Sequence, residues 1–326
     1  MTGDRGKPGE FDLIASVFAP LTGGDERALG LLDDAAILPQ TEGRDTVVTT
    51  DTMVAGIHFL ESETADVVAR RLLRVNLSDL ASMGAEPVAY FLNMTLPPGL
   101  DEAWVRLFAD GLRADQSEFG IRLLGGDTTH SEYSLTLTAT LLGEVPSGEA
   151  VTRGGAVAGD DVYVSGTIGD AAIGLQRLRS GASCEDALVE RFQRPTPRIA
   201  LGRSLRGLVS AMADVSDGLA ADLGHICTAS NVSAEISAPE IPLSDRVRAC
   251  MEVGDAGFGG IVSGGDDYEL VFTASPANAG RIDAAAQAAD VSVRRLGRVH
   301  DGPPDVIVRD AEGREIVLKQ AGYRHF

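Results

Sequence analysis

Apolar positions recur along this chain with two different periods, and the change of period marks its elements. Over ADVVARRLLRVNLSDLASMG (65–84) they return every three or four residues and stop at Gly84, the pattern of an amphipathic helix ended by glycine. LDEAWVRLFADGLRADQSEFG (100–120) repeats that spacing, and EFDLIASVFAPL (10–21) predicts an earlier helix. DTVVTTDTMV (45–54), dense in Val and Thr, reads as a strand ending at Asp51. VAYFLNMTL (88–96) reads as a second strand, and SLTLTATLLGEV (134–145) alternates with period two as a half-buried one. IRLLGGDTT (121–129) reads as a short strand that breaks into a turn at its glycines. The order β-α-β-α-β-β predicts an α+β domain.

Beyond it, PSGEAVTRGGAVAGD (146–160) is rich in Gly, Ala and polar residues and predicts a domain boundary, with domains over 1–148 and 149–326. The chain's 326 residues exceed one ordinary core, which agrees with two domains. In the second, DDVYVSG (160–166) reads as a strand, helices follow to residue 190, and TPRIALGRSLRGL (196–208) gives another. AMADVSDGLAADLGHICTAS (211–230) reads strand–turn–helix, and DDYELVFTA (266–274) reads as a strand. PANAGRIDAAAQAA (276–289) predicts a helix, VSVRRLGRV (291–299) a strand, and DVIVRDAEGREIVLK (305–319) a hairpin about Glu312-Gly313.

Charge narrows the function. The formal net charge is −20, and the only lysines are Lys7 and Lys319, so nucleic acid and anionic membrane surfaces are excluded as partners. A phosphate site built on lysine has nothing to draw on; any phosphate chemistry needs divalent cations. No run of apolar residues is long enough to span a membrane, and the first residues lack a basic start with an apolar signal core, so a cytoplasmic protein is expected. Cys184, Cys227 and Cys250 lie far apart without CxxC spacing, which argues against a disulfide frame or a zinc site.

One local word repeats: apolar residues, then small ones, then aspartate. It appears in LLDDAA (Asp33, Asp34), VVTTDT (Asp51), RLLGGDTT (Asp127), AMADVSDG (Asp214, Asp217) and IVSGGDDYE (Asp266, Asp267). Asp79 adds a helical member, three residues after Asn76. Any one of these could cap a helix or close a turn, and SDGLAADL makes Ser216 or Asp217 a good N-cap by itself. Six such sites in a lysine-poor chain are poorly explained by capping alone, because gathered carboxylates repel one another unless cations neutralise them. With hydroxyls alongside (Thr49, Thr50, Ser216), the donor set suits Mg²⁺. The glycine pairs at 125–126 and 264–265 would let backbone N–H groups approach an anion. No P-loop, kinase or dinucleotide signature is present. His58 follows the Asp51 strand in a loop, and Arg153 stands in the glycine-rich joint, where a solvated linker role and a phosphate contact read equally well.

Taken in order, DDAAIL, TTDTMVAGIHF, VNLSDLASMGAEP, GGDTT, GDDVYVSGTIGDAAIGL, DVSDGLAADLGHI, SGGDDYELVFT and the terminal GYRHF closely resemble the thiamine-monophosphate kinase family. That family is similar to aminoimidazole ribonucleotide synthetase and selenophosphate synthetase, which share a two-domain α+β fold. The resemblance implies ATP-dependent phosphorylation of thiamine monophosphate to thiamine diphosphate, with several Mg²⁺ ions. It implies Asp34, Thr49, Thr50, Asp51, Asp79, Asp127, Asp214 and Asp217 as metal ligands. Gly126, Asp127, Arg153 and Ser216 would lie on ATP, and His58, Asp266 and Tyr323 on the thiamine phosphate. No dedicated catalytic base is implied, and a homodimer formed through the N-terminal domain is. The chain departs from the family's words at Leu32, where glycine is usual, and at Asp266, where glutamate is common.

Overall fold

The computed structural model describes residues 14–31, 36, 38–181, 186–318 and 320–323. They divide into two compact units, one of residues 1–76 with 87–144 and one of 77–86 with 145–326. The segment 77–86, which carries Asp79, therefore packs with the later unit. Among the described residues no helix is long and apolar enough to cross a membrane.

The first unit holds a four-stranded sheet in the order β1-β4-β2-β3, with β1 over Arg44–Val54, β2 over Glu86–Leu96, β3 over Arg122–His130 and β4 over Thr136–Pro146. Strand β1 runs past Asp51 to Val54. Helices α1 (Ala65–Ser82) and α2 (Glu102–Phe119) match the predicted spans. Asp101 caps α2 by accepting the Trp104 N–H, and Gly120 ends it at φ 71°. The two helices cross closely at Gly111, where a Cβ would stand 2.4 Å from the Asp66 carbonyl. Beside that crossing, buried Asp115 accepts from Arg70 and Arg74.

Two expectations fail here for physical reasons. Of the predicted helix over 10–21, residues 10–13 lie outside the described residues. The rest forms a five-residue π turn, Ile14–Phe18, and a 3₁₀ turn, Ala19–Thr22, because Pro20 lacks a helix-bonding N–H and Gly23 takes a left-handed φ of 61°. The glycines of LLGGDTT do not break the strand. Strand β3 passes straight through them, parallel to β2, with a register shift at Tyr90/Phe91. A Cβ on Gly126 would lie 1.8 Å from the Leu92 carbonyl oxygen, so the approach of β2 itself demands glycine.

The second unit is built on a six-stranded sheet in the order β10-β7-β9-β5-β8-β6. The strands are β5 (Asp161–Ser165), β6 (Ala211–Asp214), β7 (Ser233–Ser237), β8 (Leu270–Ala274), β9 (Val293–His300) and β10 (Asp305–Arg309). All pairings are antiparallel except β10 with β7. Strand alternation sends Val162, Val164, Ala213 and Val271 to one core, shared with Leu219, Leu223 and Ile226 of helix α6 (Leu219–Ser230). Tyr163, Met212, Leu270 and Phe272 face the opposite core with Leu201 and Leu205 of α5 (Ile199–Leu205) and Ile282 of α9 (Ala279–Ala288). A sheet buried on both faces explains why β5 and β8 read as continuous apolar runs.

The remaining helices are α3 (Asp170–Arg179), α4 (Ala187–Gln193), α7 (Asp245–Glu252) and α8 (Phe258–Val262). The sequence pattern did not single out β7, α7 or α8. Strand β8 begins at Leu270 and not at Asp266, because Asp266 and Tyr268 take left-handed φ values of 73° and 50°. Their N–H groups donate instead to the Ser216 and Val215 carbonyls. The closing hairpin forms at Gly313, whose N–H donates to Asp310, though its second arm is a single Arg309–Glu315 bridge.

Candidate active site

In the first unit, the residues singled out from sequence lie on β1, β3 and the turn after β1. Alternation along β1 puts Thr49, Asp51 and buried Met53 on one face. Thr50 turns to the other face, where its hydroxyl donates to the Ala139 carbonyl and lies 3.0 Å from the Thr140 hydroxyl. The structure thus separates the threonine pair: Thr49 shares a face with Asp51, while Thr50 ties β1 to β4. Asp127 is exposed on β3 in register with Asn93, next to Gly126. His58 is half-buried, and its Nδ1 accepts the Val54 N–H at 3.0 Å while its backbone N–H donates to the Val54 carbonyl. With Nδ1 accepting, a neutral ring carries its hydrogen on Nε2, which is then a donor. Leu32, Asp33 and Asp34 lie outside the described residues.

In the second unit, β6 delivers Asp214 at its end, and the chain turns through Val215, Ser216, Asp217 and Gly218 into α6. The turn is held on every side. The Ser216 carbonyl accepts the Asp266 N–H at 2.8 Å, and the Asp217 carbonyl accepts the Tyr323 N–H at 3.0 Å. Gly265 passes so close that a Cβ there would stand 2.2 Å from the Ser216 oxygen. Ser216, Asp217, Asp266 and Tyr323, far apart in sequence, therefore share one neighbourhood. Neither Ser216 nor Asp217 caps the helix: the N-cap is Gly218, at φ 126°. The Tyr268 hydroxyl donates to Asp266 at 3.3 Å.

The electrostatics of this turn would suit a cation. Asp214 is 2% exposed; among the described residues its Oδ2 makes no well-formed hydrogen bond, and the buried Ser78 hydroxyl beside it favours its charged form only in part. Burial pushes the Asp214 carboxyl well above the usual range, and the charges of Asp79 and Asp222 add to that push, while Arg153 opposes it. Arg153 is exposed, and its charge acts on Asp222 as well, so the joint arginine belongs electrostatically to this cluster. A buried carboxylate oxygen without a well-formed hydrogen bond, among other carboxylates, fits a hard divalent cation, whose bond would replace the lost hydration.

Sequence reasoning passed over Asp222 and Glu269, and it named Asp267 without giving it a role. Asp222, buried in the first turn of α6, accepts the N–H groups of Ser216, Asp217 and Gly218 on Oδ2 at 3.0–3.1 Å. Burial and the Asp217 charge nevertheless push its carboxyl up to about 7. An aspartate in a first helical turn is ordinary, so its sequence carried no signal. Asp267 is the cap its neighbour is not: it is fully buried and accepts the Gly169 and Ala171 N–H groups at the start of α3. Burial pushes it up to about 7. Buried Glu269 accepts from Arg191, Arg198 and Ser165, an ion-pair group anchoring the segment that carries Asp266.

Comparison with known proteins identifies the family. The AIR synthase related protein, N-terminal domain, matches residues 32–145, and the AIR synthase related protein, C-terminal domain, matches 157–309. A thiamine-monophosphate kinase of Caulobacter vibrioides is 44% identical over 322 residues, covering 98% of this chain and 91% of the relative. The solved thiamine-monophosphate kinase of Stenotrophomonas maltophilia K279a is 39% identical, with a TM-score of 0.82 over 92% of this chain and 98% of its own. AaThiL complexed with AMPPCP and TMP is 29% identical, with a TM-score of 0.78 over 98% of this chain and 97% of its own. With two AIR-synthase-type units of α+β build and such relatives along nearly its whole length, the chain belongs to the thiamine-monophosphate kinase family.

Proposed function

We propose that this protein transfers the terminal phosphoryl group of ATP to thiamine monophosphate, giving thiamine diphosphate. The observation that carries the reading is the buried Asp214 carboxylate, crowded by Asp79 and Asp222 and with an oxygen that lacks a well-formed hydrogen bond among the described residues, in a chain whose relatives are thiamine-monophosphate kinases. Each unit brings its own oxygen donors to magnesium: Thr49, Asp51 and Asp127 in the first, with Asp34 from outside the described residues, and Asp79, Asp214 and Asp217 in the second. Thr50 joins this set only if its hydroxyl leaves Thr140. When bound, magnesium supplies charge neutralisation for the triphosphate and the acceptor phosphate.

The chain's own side chains bind and orient. Ser216, Gly126, Asp127 and Arg153 are assigned to ATP, with Arg153 the cationic group for its phosphates. His58 Nε2–H, Asp266 and Tyr323 are assigned to the thiamine phosphate. The acceptor is a phosphomonoester with a second pKa of about 6, so its attacking oxygen is already anionic at neutral pH and no strong base is needed. By the expected division, 1–148 carries dimerisation and the metal and ATP residues Asp34, Thr49, Asp51, Asp79, Gly126 and Asp127, and 149–326 completes the site with Arg153, Asp214, Ser216 and Asp217. The protein acts in the cytoplasm as a homodimer, in keeping with the family resemblance.

The test is direct. Purified protein with Mg-ATP and thiamine monophosphate should form thiamine diphosphate and ADP in equal amounts, and chelation of divalent cation should stop it. No product from thiamine monophosphate under these conditions would sink the reading.

A further inference from the structure

The turn 215–218 is unusual in where its backbone groups go. A helix N-terminus leaves donors without intrahelical partners, and a side chain preceding the helix commonly takes one or two. Here a residue inside the helix reaches back. Asp222 Oδ2 collects three consecutive N–H groups, from Ser216 at 3.0 Å, Asp217 at 3.0 Å and Gly218 at 3.1 Å. Gly218 makes that convergence possible with φ 126°, and a Cβ there would meet the Ser263 carbonyl carbon at 2.9 Å. The turn's acceptors run the other way: Ser216 O to the Asp266 N–H, Asp217 O to the Tyr323 N–H. Every backbone polar group of Ser216 and Asp217 is therefore committed, and their side chains project from a clamped frame.

We propose that Asp222 is a positioning residue for phosphoryl transfer, holding the Ser216–Gly218 turn so that Ser216 and Asp217 stand ready for the nucleotide and its metal. The inference rests on the proposed kinase reading. Asp222 Oδ2 is spent on three N–H donors, so this oxygen acts through the turn. Its reach extends further than the nucleotide side, because the same turn bonds the segments carrying Asp266 and Tyr323. Loosening the Asp222 bonds frees Ser216 and Asp217 on one side and slackens two substrate-side contacts on the other. A charged acceptor suits three converging donors better than a neutral one, since such bonds are roughly twice as strong.

Asp222→Ala and Asp222→Asn test this beside the wild-type protein. Asparagine keeps an oxygen that can accept the same N–H groups, so it serves as the conservative rescue. Thermal melts and far-UV circular dichroism give the folded fraction, calorimetry gives affinity for AMPPCP with Mg²⁺, and initial rates give kcat and KM for Mg-ATP. Per folded molecule, Asp222→Ala should lose about 100-fold in kcat/KM, the scale of one lost preorganising interaction. It should bind AMPPCP about tenfold more weakly, on the same grounds, with Asp222→Asn between it and wild type. Two results would overturn the proposal: Asp222→Ala within twofold of wild type in both readouts, or losses in both variants that merely track the unfolded fraction. A wild-type protein that binds AMPPCP but does not phosphorylate thiamine monophosphate would overturn the kinase reading instead, and the binding series would still judge Asp222.

Discussion

The carboxylates of the two units live under opposite conditions. Asp127 stands exposed on a strand and Asp51 is only part-covered, so neither pays much in desolvation. Asp214, Asp222 and Asp267 are buried, and their carboxyls are pushed upward by burial. Yet burial alone does not decide the matter. Asp115 in the first unit is fully buried too, and there two arginines meet it at 2.7–2.9 Å. A buried carboxylate met by two arginines is structural; Asp214, crowded by carboxylates and without such a partner, is suited to the metal role proposed above.

The sharpest way to break this contrast is Asp115→Ala. It takes one of two carboxylates from the buried Arg74 guanidinium, which keeps Glu118 at 2.6 Å, and should cost about 2–3 kcal/mol in a denaturant titration. A cost under 1 kcal/mol would mean that Asp115 is no better paired than Asp214. Asp214→Asn should do the reverse. Turnover falls on the order of 100-fold with the loss of a charge-neutralising ligand, while the melting temperature in chelator at pH 8 holds or rises. A large loss of stability there would assign Asp214 to the core.

The pH dependence sharpens the same point. Asp222 and Asp267 rise from 3.8 to about 7 on folding, and Asp214 is raised as well. A raised carboxyl favours the folded state while protonated, so the contribution is whole below about pH 4 and is lost as pH climbs through about 7. In chelator the melting temperature should therefore fall between pH 5 and pH 8, and Mg²⁺ should restore more of it at pH 8. Equal magnesium shifts at both values would contradict this. The smallest effect is on Asp127→Ala: activity drops, but stability stays within about 0.5 kcal/mol, as for other exposed positions.

Much of this was legible in the sequence, and the gaps have reasons. Helix α1 and its stop at Gly84 follow from spacing alone, and Gly84 indeed adopts φ 68° with its N–H on the Ala81 carbonyl. Strand β7 was missed because five residues with two buried positions make no readable period. The glycines of β3 were read as a turn because nothing local reveals how near β2 runs. The repeated aspartate word led to the Asp214–Asp217 turn, where the structure gathers Ser216, Asp266 and Tyr323. It could not separate Asp266 from Asp267, since only the fold shows that the second caps α3. Asp222 and Glu269 stayed hidden because their work is done on partners distant in sequence or on backbone N–H groups.

Gly126 carries a lesson for anyone reading variants of this chain. Any replacement puts an atom where the Leu92 carbonyl already is, 1.8 Å away, and the two strands must part. A dead Gly126 variant would look, in an activity screen, like the loss of a nucleotide contact. It would in fact report a torn sheet, so the genetic sensitivity of this position says nothing about chemistry until the fold of the variant has been measured.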